Sequence, residues 1–351
     1  MTGQRFHNLD GLRGVCALSV VLFHCSGLFR QGPIFQHGFL AVDMFFLLSG
    51  FVIALAHEAR LKTGETLPAF LGARARRLLP VYWLGAIFNI AIFIWMARAG
   101  YYPGYGWATV WLLVPLLTLL LLPAFGTPGA AFSQPMMNVS WSLAVEWAVN
   151  TFYATGLFRL RTRTLLLLVA AGWGAMAVAG YHTGRGWCVG IDRYEVFTYG
   201  LLRGAPAFLA GVVIQRLQAR GCFARLPVVA PEISLMLWLC IAAVPTAAAT
   251  PSFDAIAVIL LCPALIIALI RAEHRAPVFC RALGGLSYPL YTVHPGIILL
   301  AQATPLFGLN HAPNPARALL VVAICLGAAW VLQSISNMPP MRLGRPSKLA
   351  A

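Results

Sequence analysis

The chain is a succession of apolar stretches of about twenty residues, with most charged residues gathered between them. A stretch of that length is what an α-helix needs to cross the ~30 Å hydrocarbon core of a bilayer, and it is too long for a barrel strand. Inside a bilayer the backbone must satisfy its own polar groups, so such segments read as helices. Composition agrees: hydrophobic residues make up 60% of the 351 and charged residues 10%, against about 25% charged in soluble domains. The expected fold is all-α, a polytopic transmembrane helical bundle of about 10–11 membrane segments, forming a single domain over residues 1–351. The first apolar segment reads as a span rather than a cleavable signal, because it carries Arg13 and His24 and lacks a small-residue cleavage pattern.

A formal net charge of +15 could point to nucleic acid. Its distribution points to a bilayer instead. Basic residues gather in alternate loops: the N-terminus, 58–80, 159–163, 216–225, 271–281 and the tail from 338. The other side receives only Arg30, Arg98, Arg185, Arg193 and Arg317. By the positive-inside rule the basic loops and both termini are cytoplasmic. The expected spans are 12–30, 38–57, 78–97, 139–158, 164–181, 195–215, 230–249, 254–270, 286–303 and 316–336. Residues 107–123 are long enough to cross, yet a crossing there would put Arg159–Arg163 outside. A re-entrant or interfacial segment, helped by Pro115 and Pro123, resolves the conflict. The eight cysteines are scattered, with no C-x-x-C pair and no zinc-ligand spacing, so no metal is expected.

Polar residues inside apolar segments are costly and therefore informative. Arg13 and His24 lie eleven positions apart in the first segment. On a helix that is about three turns, so both share a face, separated by a rise of about 16 Å. An arginine near one surface can hold an anion, while an imidazole deeper on the same face can do chemistry. Ser142 and Glu146 are spaced i, i+4 and share a face. Arg203 lies within a span, before the flexible GAPAFLAG. It is a candidate partner for Glu146 or Asp43, or a holder of phosphate or sugar. Tyr288, Tyr291 and His294 recur at three-residue intervals on one helix face, between Pro289 and Pro295, which suggest local unwinding. Ser49 and Gly50 are expected to permit close helix packing.

Five motifs occur in order: LDGLRG followed by R-x10-H, FFLLSGF at 45–51, ARARRLLPVYWL at 73–84, WSLAVEW at 141–147 and LSYPLYTVHP at 286–295. Together they resemble the acyltransferase-3 family of integral-membrane O-acyltransferases over nearly the whole chain. Ending at Ala351, the chain resembles the stand-alone branch, without the SGNH-type domain often fused at the C-terminus. Where the family's WSL-x-VE motif often continues with a second acidic residue, this chain has Trp147.

The resemblance implies transfer of an acyl group, commonly acetyl, from a cytoplasmic acyl-CoA to a hydroxyl of a surface glycan or polyprenyl-linked oligosaccharide on the far side. The donor is a substrate and no bound cofactor is expected; the implied partners are acyl-CoA, the glycan acceptor and the lipid bilayer, with no nucleic acid. Coenzyme A is polyanionic, and Arg13, Arg74 and Arg77 are its expected binders, the last two forming an R-x-x-R pair. Neutral His24 is the expected catalytic base, or a transient acyl carrier. Glu146 is the second expected catalytic residue, orienting His24 or binding the acceptor, with an ion pair to Arg203 as the structural alternative. Asp43, Ser142, Arg203, Tyr291 and His294 are expected to contact the acceptor or support the site. The competing reading from another class is a transporter or exporter of glycan precursors with an intramembrane Arg–Glu–His network. No internal repeat or matched pair of broken helices supports it.

Overall fold

The computed structural model describes residues 6–26, 34–101, 106, 108–124, 136–184, 186–188, 196–245, 252–273, 278–303 and 315–336. Arg5, Arg30, Arg185, Arg193, Arg275, most of the 123–138 loop and the basic tail from 338 lie outside them. The described residues form helices and no strand. In chain order these are α1 (His7–His24), α2 (Ala41–Lys62), α3 (Leu67–Arg98), α4 (Thr109–Leu119), α5 (Trp141–Thr155), α6 (Thr162–Thr183), α7 (Leu201–Ala219), α8 (Pro231–Ala243), α9 (Phe253–Arg271), α10 (Val278–Ala303) and α11 (Pro315–Ser336). Five are long and apolar enough to cross a membrane on length and composition alone, α2 being counted with its leading 3-10 turn: Gly38–Lys62, Leu67–Arg98, Thr162–Thr183, Phe253–Arg271 and Pro315–Ser336.

Local chemistry sets several boundaries. Thr66 caps α3 by accepting from the Ala69 amide, and Pro68 occupies its first turn. α4 and α9 each contain a widened π turn, Thr109–Leu113 and Ala257–Leu261. Each lies just before a proline, Pro115 or Pro263, whose missing N–H breaks the regular ladder. α1 is displaced from expectation: it begins at His7 rather than 12 and ends at His24 rather than 30, while α3 begins at Leu67 rather than 78. The α1 cap comes from far away. The Glu273 carboxylate accepts from the His7 amide at 2.6 Å and the Asn8 amide at 3.0 Å. A carboxylate on exposed N-terminal amides also complements the helix dipole. α10 likewise starts at Val278 rather than 286 and passes through Pro289 and Pro295 without unwinding.

Small residues fix which helices meet. On α1, a side chain at Gly11 would strike Cys280, and one at Gly14 would strike Leu283 of α10. On α2, a side chain at Gly50 would strike the Phe208 carbonyl of α7, and one at Gly211 would strike the Leu47 carbonyl in return. Backbones this close gain dispersion contact where no hydrophobic effect separates helix from lipid. Gly50 thus fits its expected packing role.

The same contacts give directions. α1 runs parallel to α10, with Gly11 beside Cys280 and His24 beside His294. α3 is parallel to α10 as well, with Leu78 bonded to Tyr288 and Asn89 to Thr292. α2, α5 and α7 run parallel to one another, tied by Asp43–Arg203, Ser49–Glu146, Glu58–Tyr153 and Glu58–Arg216. α5 is antiparallel to α3. Its Glu146 meets Arg74, and Ser140, just before its start, lies by Tyr82.

α4 lies within the segment 107–123. α4 has 11 residues, about 16 Å of helix, roughly half a bilayer core. Val110 and Val114 pack beside Phe93 of α3, while the Thr118 carbonyl accepts from the Tyr82 hydroxyl. α4 therefore descends along one half of α3. Met136, beyond it, is back in the cluster of Phe93 and Val110. Leu112, Leu116 and Leu120 face outward.

Candidate active site

The polar residues on α1, α2, α3, α5 and α10 form one column. At its basic end, Arg76 and Arg77 are exposed. Arg13 stands within electrostatic reach of Arg74, Arg77 and Glu146. Its side chain keeps 28% exposure, and its guanidinium is 3.6 Å from Asp10, one turn earlier. Arg74, though in the same R-x-x-R pair as Arg77, is buried. Its Nη2 donates to Glu146 Oε1 at 2.6 Å, while its Nε is buried without a partner among the described residues. Ser49 Oγ donates to the same Glu146 oxygen at 2.7 Å. Glu146 keeps 19% side-chain exposure, so its second oxygen is available. Tyr288 lies within the field of this group.

One turn along α10, the Tyr291 and Ser142 hydroxyls are 2.7 Å apart, and both lie within hydrogen-bond range of the Val139 carbonyl. A further turn brings His294. Its Nε2 is 3.0 Å from His24 Nδ1, the two rings are stacked, and His294 Nδ1 lies 2.9 Å from the Leu290 carbonyl. His24 is partly exposed; His294 is fully buried. The three-residue spacing of Tyr288, Tyr291 and His294 thus builds one wall of the column, and α1 carries Arg13 and His24 along another.

Two expected pairings are corrected by this geometry. Glu146 does not orient His24; its bonds go to Arg74 and Ser49, and His294 holds the imidazole. Nor does Glu146 meet Arg203. Arg203 pairs with Asp43, and both side chains have 0% exposure. Its Nη2 donates to Asp43 Oδ2 at 2.6 Å and its Nε to both Asp43 oxygens at 3.1 Å, while Nη2 also reaches the Phe39 carbonyl. Trp187 donates a further bond to Asp43. A pair so enclosed presents no surface to a phosphate or sugar. It supports the fold beside the column rather than lining it. A second such knot ties the other end of the α2–α7 interface, where Arg216 grips Glu58 and the Phe158 and Leu160 carbonyls.

Ser49 is the residue of the column that sequence reasoning assigned to packing alone. Its partner is 97 positions away. A hydroxyl one residue before a packing glycine was the available signal.

The profile of the acyltransferase-3 family, described as an acyltransferase domain, matches residues 6–333. The chain belongs to this family and is a multi-pass membrane acyltransferase. Among curated proteins it is 36% identical to "Protein 2 in picA locus" of Rhizobium radiobacter over 192 residues, half of this chain and 95% of that one. It is 28% identical to the exopolysaccharide production protein ExoZ of Rhizobium meliloti (strain 1021) over 339 residues, 94% of this chain and 98% of that one. The peptidoglycan O-acetyltransferase OatA of Listeria monocytogenes is 24% identical over 185 residues, 48% of this chain and 28% of its own length. No solved structure matches the chain.

Proposed function

We propose that the protein transfers an acyl group, acetyl in the first instance, from a cytoplasmic acyl-CoA to a hydroxyl of a surface glycan or polyprenyl-linked sugar across the bacterial inner membrane. The arginine-rich end of the column is then cytoplasmic, as are both termini. Relatives named for exopolysaccharide production and peptidoglycan O-acetylation support an acceptor of this class.

The observation that carries the reading is the continuous polar column from Arg77 and Arg13 to His24. Arg13 and Arg77 retain exposed guanidinium surface, and two forks suit the phosphates of coenzyme A. From Arg13 to His24 the rise is about 16 Å, a span for an extended pantetheine arm. Tyr288, Ser49, Glu146, Ser142 and Tyr291 supply polar lining on the way. At the end stands His24, the partly exposed imidazole. It takes the proton of the acceptor hydroxyl as the C–O bond forms and the thiolate leaves, or it carries the acyl group between the two. Glu146 and Ser49 set the height of Arg74, and Tyr291 and Ser142 border the reacting end.

The test is release of coenzyme A from labelled acetyl-CoA by protein in nanodiscs, with and without a lipid-linked oligosaccharide. Acceptor-dependent release and a labelled sugar support the reading. Transport of the oligosaccharide with no acyl transfer sinks it.

A further inference from the structure

We propose that His294 is a positioning residue that fixes the tautomer of His24, holding its proton on Nδ1 and leaving the lone pair on Nε2. The inference rests on the reading of His24 as the reacting group, and goes beyond it by naming the reacting atom and what selects it.

The argument is one of donors and acceptors. A carbonyl only accepts. The Leu290 carbonyl, 2.9 Å from His294 Nδ1, therefore requires that nitrogen to carry its proton. In a neutral imidazole the other nitrogen, Nε2, is then an acceptor. It faces His24 Nδ1 at 3.0 Å, so His24 Nδ1 must be the donor. With its proton placed there, His24 keeps a lone pair on Nε2, an atom that makes no hydrogen bond among the described residues. His294 has no carboxylate among these partners and is fully buried, a setting for the uncharged ring.

The helix itself reinforces the direction. Pro295 has no N–H, so the Tyr291 carbonyl one turn earlier lacks its helical donor. That carbonyl also acts on the His294 ring. The Leu290 carbonyl thus holds the Nδ1 proton of His294 in place, with the Tyr291 carbonyl close to the same ring. In many enzymes a carboxylate fixes the catalytic histidine tautomer; here a second histidine, anchored to backbone, stands in that position, and Glu146 is engaged elsewhere.

The decisive measurement is the ¹⁵N spectrum of histidine-labelled protein in nanodiscs, with the His24 signals identified by their loss in His24→Ala. The expected result is a protonated Nδ1 and an unprotonated Nε2 on His24. A proton resident on Nε2 overturns the proposal outright, whatever the activity. Kinetics give the second arm. His294→Gln places an acceptor oxygen near the position of Nε2, whereas His294→Asn reaches only the position of Nδ1. The Asn variant is expected to lose about 10²-fold in kcat with donor KM unchanged, and the Gln variant to stay within about fivefold of wild type. Equal loss in both variants means that His294 only fills space, and the proposal fails. If instead His24→Ala remains active, the base assignment falls, while the nitrogen spectrum still decides the tautomer.

Discussion

The α2–α7 interface and the α1–α3–α5–α10 column both bury an arginine against a carboxylate, yet the two settings differ in what is left over. Asp43–Arg203 is sealed: both side chains are fully buried, and Phe39 and Trp187 add further bonds to the pair. Glu146–Arg74 is unfinished. Arg74 Nε lacks a partner among the described residues, Glu146 is partly exposed, and Arg13 and Arg77 add positive charge that Asp10, 3.6 Å from the Arg13 guanidinium, only partly matches. A saturated pair contributes to uniqueness of fold; an unsaturated one has work reserved for a ligand. Burial of charge alone does not separate the two cases, since both sit in an apolar bundle at real desolvation cost.

The largest expected effect lies at the end of the open column. His24→Ala should lower turnover by about 10³-fold or more while the folded protein still binds acyl-CoA, because the imidazole acts after binding. Near-normal turnover in a folded variant would remove the chemistry from this end of the site. Next comes the sealed pair. Arg203→Met leaves Asp43 buried and uncompensated, at a cost of about 3–5 kcal/mol. A large fall in melting temperature is expected, and Asp43→Leu added to Arg203→Met should restore much of it. If the double variant regains stability but stays inactive, the pair touches substrate after all and the contrast between the two regions dissolves. Third, Arg13→Ala and Arg77→Ala should each raise the donor KM by about tenfold, near 1.4 kcal/mol, with kcat little changed. A change confined to kcat would move these arginines out of donor recognition.

What could be read from the sequence follows from the same physics. Helices were legible because apolar length and basic loops are local signals. His24, Glu146 and Arg203 stood out because a polar group in an apolar run is conspicuous by itself. Pairings were not legible. His24 and His294 are 270 positions apart, and Arg74 and Glu146 are 72 apart. Which carboxylate meets which arginine depends on the parallel packing of α2 with α7 and of α1 with α10, set by small residues whose partners no local pattern reveals. The start of α1 was misplaced for a related reason: its amides are capped by Glu273, from the far end of the chain.

The smallest and sharpest test concerns Glu146→Gln. The substitution keeps size and the Ser49 contact but removes the negative charge that holds Arg74. Were this a sealed pair like Asp43–Arg203, the variant would melt several degrees lower and do little else. In an open column the released guanidinium still has Arg77 and Arg13 beside it, and an anionic donor relieves all three together. Donor binding is therefore expected to tighten by about threefold, roughly 0.7 kcal/mol. Since the carboxylate does not touch His24, kcat should fall less than in His294→Asn. Titration calorimetry with a non-hydrolysable acyl-CoA and thermal denaturation on the same nanodisc sample read both quantities. Tighter binding with little thermal shift upholds Glu146 as a counter-charge that the donor displaces. Unchanged binding with a deep loss of stability would make Glu146–Arg74 one more structural knot, and the column would then end as a donor site at Arg13 and Arg77.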